Sequence, residues 1–352
     1  MVNFTILAGG WTPFVVSYLF NSCTNSLTVL NQSPTGGNTS WISLHPTNKS
    51  ILYAINEVSP VGALQSYTID QDGALSGAID TISTEGDRAA FTTALSTGQV
   101  AVVNYLGGNA LVVPTKPEEP LEFLSSFTPV PFDAPISRPH MVLEHGNELF
   151  IPDIGANKVW RLVEDGAPGA FKVQGQIDEP AGYGPRHIAI RENMLYTLHE
   201  QRSALTQQEI PRPPNGTTGP LIANFNVTPP GLPEGALLGA SEIVLAEASP
   251  TFPEPFIYVS NRNVGSALDP RGDAIAIFRV EPQLELVGYA FTGLLQVRSM
   301  ALGGPENEFL VAAGEAGSGG TIVMRRTEGG RNLTIVARNT DVPTRTTFVW
   351  LD

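Results

Sequence analysis

The chain repeats itself, and that limits its fold more than any other feature. An apolar strand, a short turn and a second apolar strand ending in polar residues recur along all 352 residues. The unit reads Trp41-Ile42-Ser43-Leu44 with Ile51-Leu52-Tyr53-Ala54-Ile55-Asn56-Glu57, then Phe91-Thr92-Thr93-Ala94 with Val100-Ala101-Val102-Val103-Asn104-Tyr105. It returns at His140-Met141-Val142-Leu143, His187-Ile188-Ala189-Ile190, Glu242-Ile243-Val244-Leu245 and Ser299-Met300-Ala301-Leu302. Taking the first residue of each as equivalent gives spacings of 50, 49, 47, 55 and 57 residues. A further copy starts 48 residues on, at Thr347-Phe348-Val349-Trp350, and Phe4-Thr5-Ile6-Leu7-Ala8 and Phe14-Val15-Val16-Ser17-Tyr18-Leu19 can complete it from the other end. Four-stranded units at this period mark a β-propeller. Seven of them predict an all-β, seven-bladed propeller over residues 1–352, closed by pairing of the N- and C-terminal strands.

Composition agrees. The 35 glycines and 29 prolines are spread throughout, against long helices, while 42% hydrophobic residues suffice for a core. No apolar run approaches the roughly 18 residues of a membrane span. A formal charge of −14 makes nucleic acid and anionic membranes poor partners. The N-terminus lacks a basic region and a long apolar stretch, which points to the cytoplasm. Seven Asn-x-Ser/Thr sequons, at Asn3, Asn31, Asn38, Asn48, Asn215, Asn226 and Asn332, suit a secreted glycoprotein if the chain is a trimmed mature form. Cys23, the one cysteine, reads as a small core residue. The prolines between residues 205 and 236 predict a long insertion loop over one face, a lid or a surface excursion. Oligomeric state is not legible.

Equivalent positions of different blades form rings about one axis. The residues that begin first strands (Trp41, Phe91, His140, Arg186-His187, Glu242, Arg298) and those that end second strands (Asn56-Glu57, Asn104-Tyr105, Asp153, His199-Glu200, Asn261-Arg262) should therefore converge on one mouth. Arg186, Arg262 and Arg298 could clamp a dianion bidentately. His140 is suited to proton transfer near neutral pH. Glu200 or Glu57, beside arginines, should stay ionised and act on water. Against this stands a plain salt-bridge network, and for Asp153 and Asn104 a turn-capping role. A metal site of Glu57, Asp153 and Glu200 is a further alternative, disfavoured by the arginines; neither a metal nor another cofactor is expected.

These residues resemble the seven-bladed propeller lactonases, a family that includes bacterial-type 6-phosphogluconolactonase and the fungal 3-carboxy-cis,cis-muconate lactonizing enzyme. The resemblance rests on Gly9-Gly10-Trp11-Thr12, Arg138-Pro139-His140, Pro152-Asp153-Ile154-Gly155, Gly184-Pro185-Arg186-His187 and Ser260-Asn261-Arg262, in family order and at blade spacing. Gly155-Ala156-Asn157-Lys158-Val159-Trp160 and the terminal Val349-Trp350-Leu351-Asp352 are similar to the fungal branch. The resemblance implies a cofactor-independent enzyme with His140, Glu200, Arg186 and Arg262 as catalytic residues; the ring of equivalent positions adds Glu57, Tyr105, Asp153, His187 and Arg298 as expected contacts to a small anionic lactone or carboxylate substrate. Hydrolysis of a sugar lactone such as 6-phosphogluconolactone leads, with lactone-forming cycloisomerisation of a carboxymuconate as the alternative. A propeller that binds without catalysing is a third reading.

Overall fold

The second strand of each unit is apolar at nearly every position, more than a sheet buried on one face requires. The computed structural model, which describes residues 2–213 and 218–351, supplies the reason. Ile51–Asn56 is buried along its whole length. Ile51, Tyr53 and Ile55 pack on Val100 and Val102 of the following sheet, while Leu52 and Ala54 pack on Leu7 and Val15 of the preceding one. With side chains alternating across the strand, both faces need oil.

The chain forms seven four-stranded antiparallel sheets, most of them with strands in chain order from the axis outward. The first runs from Ile42–Leu44 to Asp80–Ser83, and the second from Ala89–Ala94 to Val130–Pro131, interrupted by a hairpin of Thr115–Lys116 and Glu119–Phe123. The third spans Leu143–His145 to Phe171–Asp178, the fourth Pro185–Arg191 to Ala223–Asn226, the fifth Leu238–Ala246 to Glu285–Phe291, and the sixth Leu295–Gly303 to Asn332–Asn339. In the seventh, Thr347–Trp350 is innermost and pairs with Asn3–Gly9, followed by Phe14–Asn21 and Ser26–Pro34. The fold is thus an all-β, seven-bladed propeller closed by its two ends. Each of seven apolar clusters fills one joint between neighbouring blades.

Two expectations need correction. The stretch 205–236 is not one loop. It contains most of strand Ala204–Glu209 and the whole outer strand Ala223–Asn226, so the prolines fall in two separate connections. Within the first of these, residues 214–217, including the Asn215 sequon, lie outside the described residues. Cys23 is exposed, because it sits in the hairpin turn between Phe14–Asn21 and Ser26–Pro34 rather than in a strand. Among the described residues no helix is long and apolar enough to cross a membrane.

Candidate active site

Strand periodicity decides which polar residues reach the channel. At the ends of the second strands, Asn56, Asn104, Asp153, His199 and Asn261 turn into the blade joints, and the next residue turns to the mouth. Asn104 donates through Nδ2 to the Thr84 carbonyl (2.7 Å), and Asn261 to the Val227 carbonyl (2.8 Å). Asp153 accepts from Ser137 Oγ (2.6 Å), from the backbone N–H groups of Arg138, Gly155 and Ala156, and from Trp160 Nε1 (2.9 Å). Its carboxylate is fully occupied in clipping the loop before the third blade onto that blade. The mouth side receives Glu57, Tyr105, Glu200 and Arg262, which with Trp11, His140 and Arg298 line a cavity of about 200 Å³.

Arg186 and Arg298 arrive by another device. In the fourth blade the ladder pairs Pro185 with His199 and His187 with Leu198, so Arg186 is an extra, unpaired residue. In the sixth blade Arg298 is extra in the same way, between Val297 and Ser299. Such bulges re-aim a side chain and increase local twist. Both guanidinium groups are thereby turned to the channel.

The charged groups form one arc. Glu200 Oε2 forms ion pairs with Arg186 Nε and Arg262 Nη2, each at 2.8 Å. Glu315 receives Arg262 Nη1 and Arg298 Nη1, each at 3.1 Å. Three guanidinium groups alternate with two carboxylates, one positive charge in excess. Arg298 lies over the Trp11 ring at 4.9 Å. Glu57 stands apart, accepting from Ser40 Oγ at 2.6 Å. Burial raises its pKa, with Arg298 opposing, so the expectation of a fully ionised carboxylate at this position is weakened. For Glu315 burial also pushes upward, but Arg298 and Arg262 outweigh it and the net shift is down.

Beneath the arc, the ring of first-strand residues closes the channel. Trp41 and Phe91 pack with ring centroids 4.4 Å apart, tilted by 32°, and present their rings edge-on to His187. His187 Nε2 meets His140 Nδ1 at 3.1 Å, and its Nδ1 meets Glu242 Oε1 at 2.6 Å. Glu242 also accepts the Ile243 N–H and the Ser299 hydroxyl. His140 is buried below Arg186, Arg298 and Arg262. Burial, then Arg186, holds its pKa well below the usual imidazole range, not near it. Burial likewise lowers His187, although Glu242 opposes it. The site therefore offers a neutral imidazole under a cationic arc.

Of the residues singled out from sequence, His140, Glu200, Arg262, Glu57, Tyr105 and Arg298 meet at one cavity. Arg186 is adjacent but only 1% exposed; it backs Glu200 and donates to the Ser241 carbonyl rather than offering a free clamp. His187 is fully buried behind His140. Asp153 does not take part, since five donors hold it away from the cavity, and the metal set of Glu57, Asp153 and Glu200 does not assemble. Among the described residues no group of His, Cys, Asp and Glu is arranged to hold a metal. Sequence reasoning missed Glu315 and Trp11 and gave Glu242 no role. A count would have found the first two. Where the ring residue has a ladder partner, the mouth residue lies two positions past that partner, as Tyr105 follows Val103 opposite Phe91 and Glu200 follows Leu198 opposite His187. The same count yields Glu315 from Ala313 opposite Ser299 and Trp11 from Gly9 opposite Thr347.

Known proteins carry the same frame. A family model described as lactonase, 7-bladed beta-propeller, matches residues 5–350. A curated relative from Arthroderma benhamiae, named "Probable 6-phosphogluconolactonase", is 23% identical over 322 residues, 86% of this chain and 77% of that one. Among solved structures, a protein from Lactobacillus plantarum superposes with a TM-score of 0.83 at 20% identity, over the full length of both chains. The periplasmic gluconolactonase of Pseudomonas aeruginosa gives 0.81 at 20% identity, over 100% of this chain and 99% of that one. At these identities the solved structures speak for the fold alone, while the family match extends almost end to end. The chain belongs to the seven-bladed β-propeller lactonase family.

Proposed function

We propose that the chain hydrolyses a small anionic sugar lactone, of the 6-phosphogluconolactone type, with His140 as general base. The observation that carries this reading is a neutral imidazole, its Nδ1 tied to His187, beneath the guanidinium groups of Arg262 and Arg298. His140 Nε2 takes a proton from water as the water attacks the lactone carbonyl. The negative charge that develops on the carbonyl oxygen falls under the arc of Arg262 and Arg298, where fixed cations act without reorganising. Collapse expels the ring oxygen, which recovers the proton from His140. Arg186 acts one layer back, holding Glu200 against Arg262. Tyr105, edge-on to His140 at 5.8 Å, walls the base. A cavity of about 200 Å³ is below the range of drug-sized sites, which favours one small ring over an oligomer.

Purified protein assayed on 6-phosphogluconolactone and gluconolactone tests the reading. Turnover of either, lowered about 10²- to 10⁴-fold in His140→Ala, is the expected result. Failure on both lactones by folded protein would sink it. One observation favours a second reading. Glu57, with its raised pKa, is placed to donate the proton that carboxymuconate cyclisation needs, and arginines suit carboxylates. Consumption of 3-carboxymuconate with no lactone hydrolysis would replace the first reading by this one.

A further inference from the structure

Glu242, His187 and His140 stand in series from the channel floor to the cavity, and with Glu242 as a carboxylate their hydrogen bonds are ordered one way. Glu242 accepts at both oxygens, from the Ile243 N–H (3.1 Å) and from Ser299 Oγ (3.2 Å). The group at 2.6 Å from Oε1, His187 Nδ1, must then donate. A neutral His187 so fixed has a lone pair on Nε2, and the atom 3.1 Å away, His140 Nδ1, must carry a hydrogen. His140 is thus left with its lone pair on Nε2, the nitrogen not committed to the floor. Each residue comes from a different blade, at equivalent positions of the repeat, so the series exists only once the third, fourth and fifth blades are packed together.

We propose that Glu242 and His187 are positioning residues for His140, fixing its tautomer and accepting its charge during turnover. The proposal rests on the reading of His140 as a base. As water loses a proton to His140 Nε2, the Nδ1 proton of His140 passes to His187 Nε2. The positive charge then resides on His187, which keeps its Nδ1–H against Glu242, rather than on His140 under three arginines. On collapse of the tetrahedral adduct the Nε2 proton of His187 returns to His140 Nδ1, and the Nε2 proton of His140 passes to the leaving oxygen. Atoms and charge balance, and no other reactant is involved. Trp41 and Phe91, edge-on to His187 at 5.5 and 5.8 Å, shield the step from water.

The test combines nitrogen NMR with kinetics on the full chain. With only five histidines, ¹⁵N-histidine labelling resolves each ring. In the unaltered protein His140 should carry its hydrogen on Nδ1. In His187→Phe, whose ring suits the Trp41–Phe91 nest, the acceptor is gone and the hydrogen should move to Nε2. On the lactone the unaltered protein turns over, kcat should fall at least 100-fold with KM within about threefold, because the arginine arc is untouched. Glu242→Gln offers a second route if His187→Phe does not fold. Its amide oxygen preserves the tautomer but not the negative charge, so the His140 spectrum should hold while kcat falls. A His140 that carries its hydrogen on Nε2 in the unaltered protein, or keeps it on Nδ1 in His187→Phe, overturns the proposal. So does Glu242→Gln with unchanged kcat. The spectra do not depend on activity. A His187-dependent tautomer in a protein without lactonase activity would fail the functional reading alone, whereas full activity in His187→Phe would fail the relay alone.

Discussion

His140 illustrates how far a side chain can be moved by its surroundings. A lone histidine in sequence suggests titration near neutrality, but burial and then three guanidinium groups favour the uncharged form. As the proposed general base, His140 must be unprotonated to work. Activity should therefore be level through neutral pH and decline only as pH falls through a value below 6.5, the ordinary imidazole pKa. A pH–rate profile for kcat/KM checks this, and an acidic limb centred above 6.5 would contradict it. Glu179 presents the opposite case, away from the cavity. Burial raises its pKa to about 8, against hydrogen bonds from Thr197 and Gln208, while burial lowers neighbouring His199 to about 3. Their 3.5 Å approach is thus a neutral contact, not an ion pair. Because the folded pKa of Glu179 lies above its unfolded value of 4.5, its contribution is intact in acid and lost as pH rises towards 8. The loss is at most about 1.4 kcal/mol per pH unit. Glu179→Gln should match the unaltered protein in calorimetry at about pH 3.5, below the unfolded pKa, and exceed it in Tm at about pH 8.5.

At the scale of the strand, period-two alternation made much of the site legible. Asn104 and Tyr105, or His199 and Glu200, had to part company, one towards the joint and one towards the mouth. Asp153 belongs to the first kind. Asp153→Ala would strand Ser137 Oγ, Trp160 Nε1 and three backbone N–H groups. Urea unfolding should show a loss of about 2–4 kcal/mol, with little change in KM, since the residue does not touch the cavity. Two things were not legible. In the sixth blade the joint position is Gly314, so the polar signal that ends the other second strands is missing and Glu315 went unnoticed. Bulges leave no mark in composition, so Arg186 and Arg298 could be assigned to the mouth but not separated. One lines the cavity and the other stands behind Glu200.

For the whole molecule the repeat period carried most of the fold, because each blade needs both neighbours to bury its second strand. The ends meet this need last. Thr347–Trp350 adds to Asn3–Gly9, and Phe4, Phe20, Phe309 and Trp350 pack ring against ring in the joint with the sixth blade. Gly303 lies under the Trp350 indole with no room for a Cβ. Trp350→Ala should cost about 3–5 kcal/mol, read by urea denaturation, and broaden the transition as the last joint loosens. Unchanged stability would mean that the ring does not depend on this clasp.

The bulges have a consequence for how such a molecule can change. Arg186 and Arg298 are supernumerary in their ladders, Glu57, Tyr105 and Glu200 stand just past the last paired residue, and Arg262 and Glu315 lie one residue before the end of theirs. The specificity of the mouth is therefore written on residues to which the hydrogen-bond lattice of the sheets is largely indifferent. A library randomised at these seven positions, with joints and floor held constant, would vary the chemistry of the pocket while leaving the scaffold's assembly instructions nearly intact.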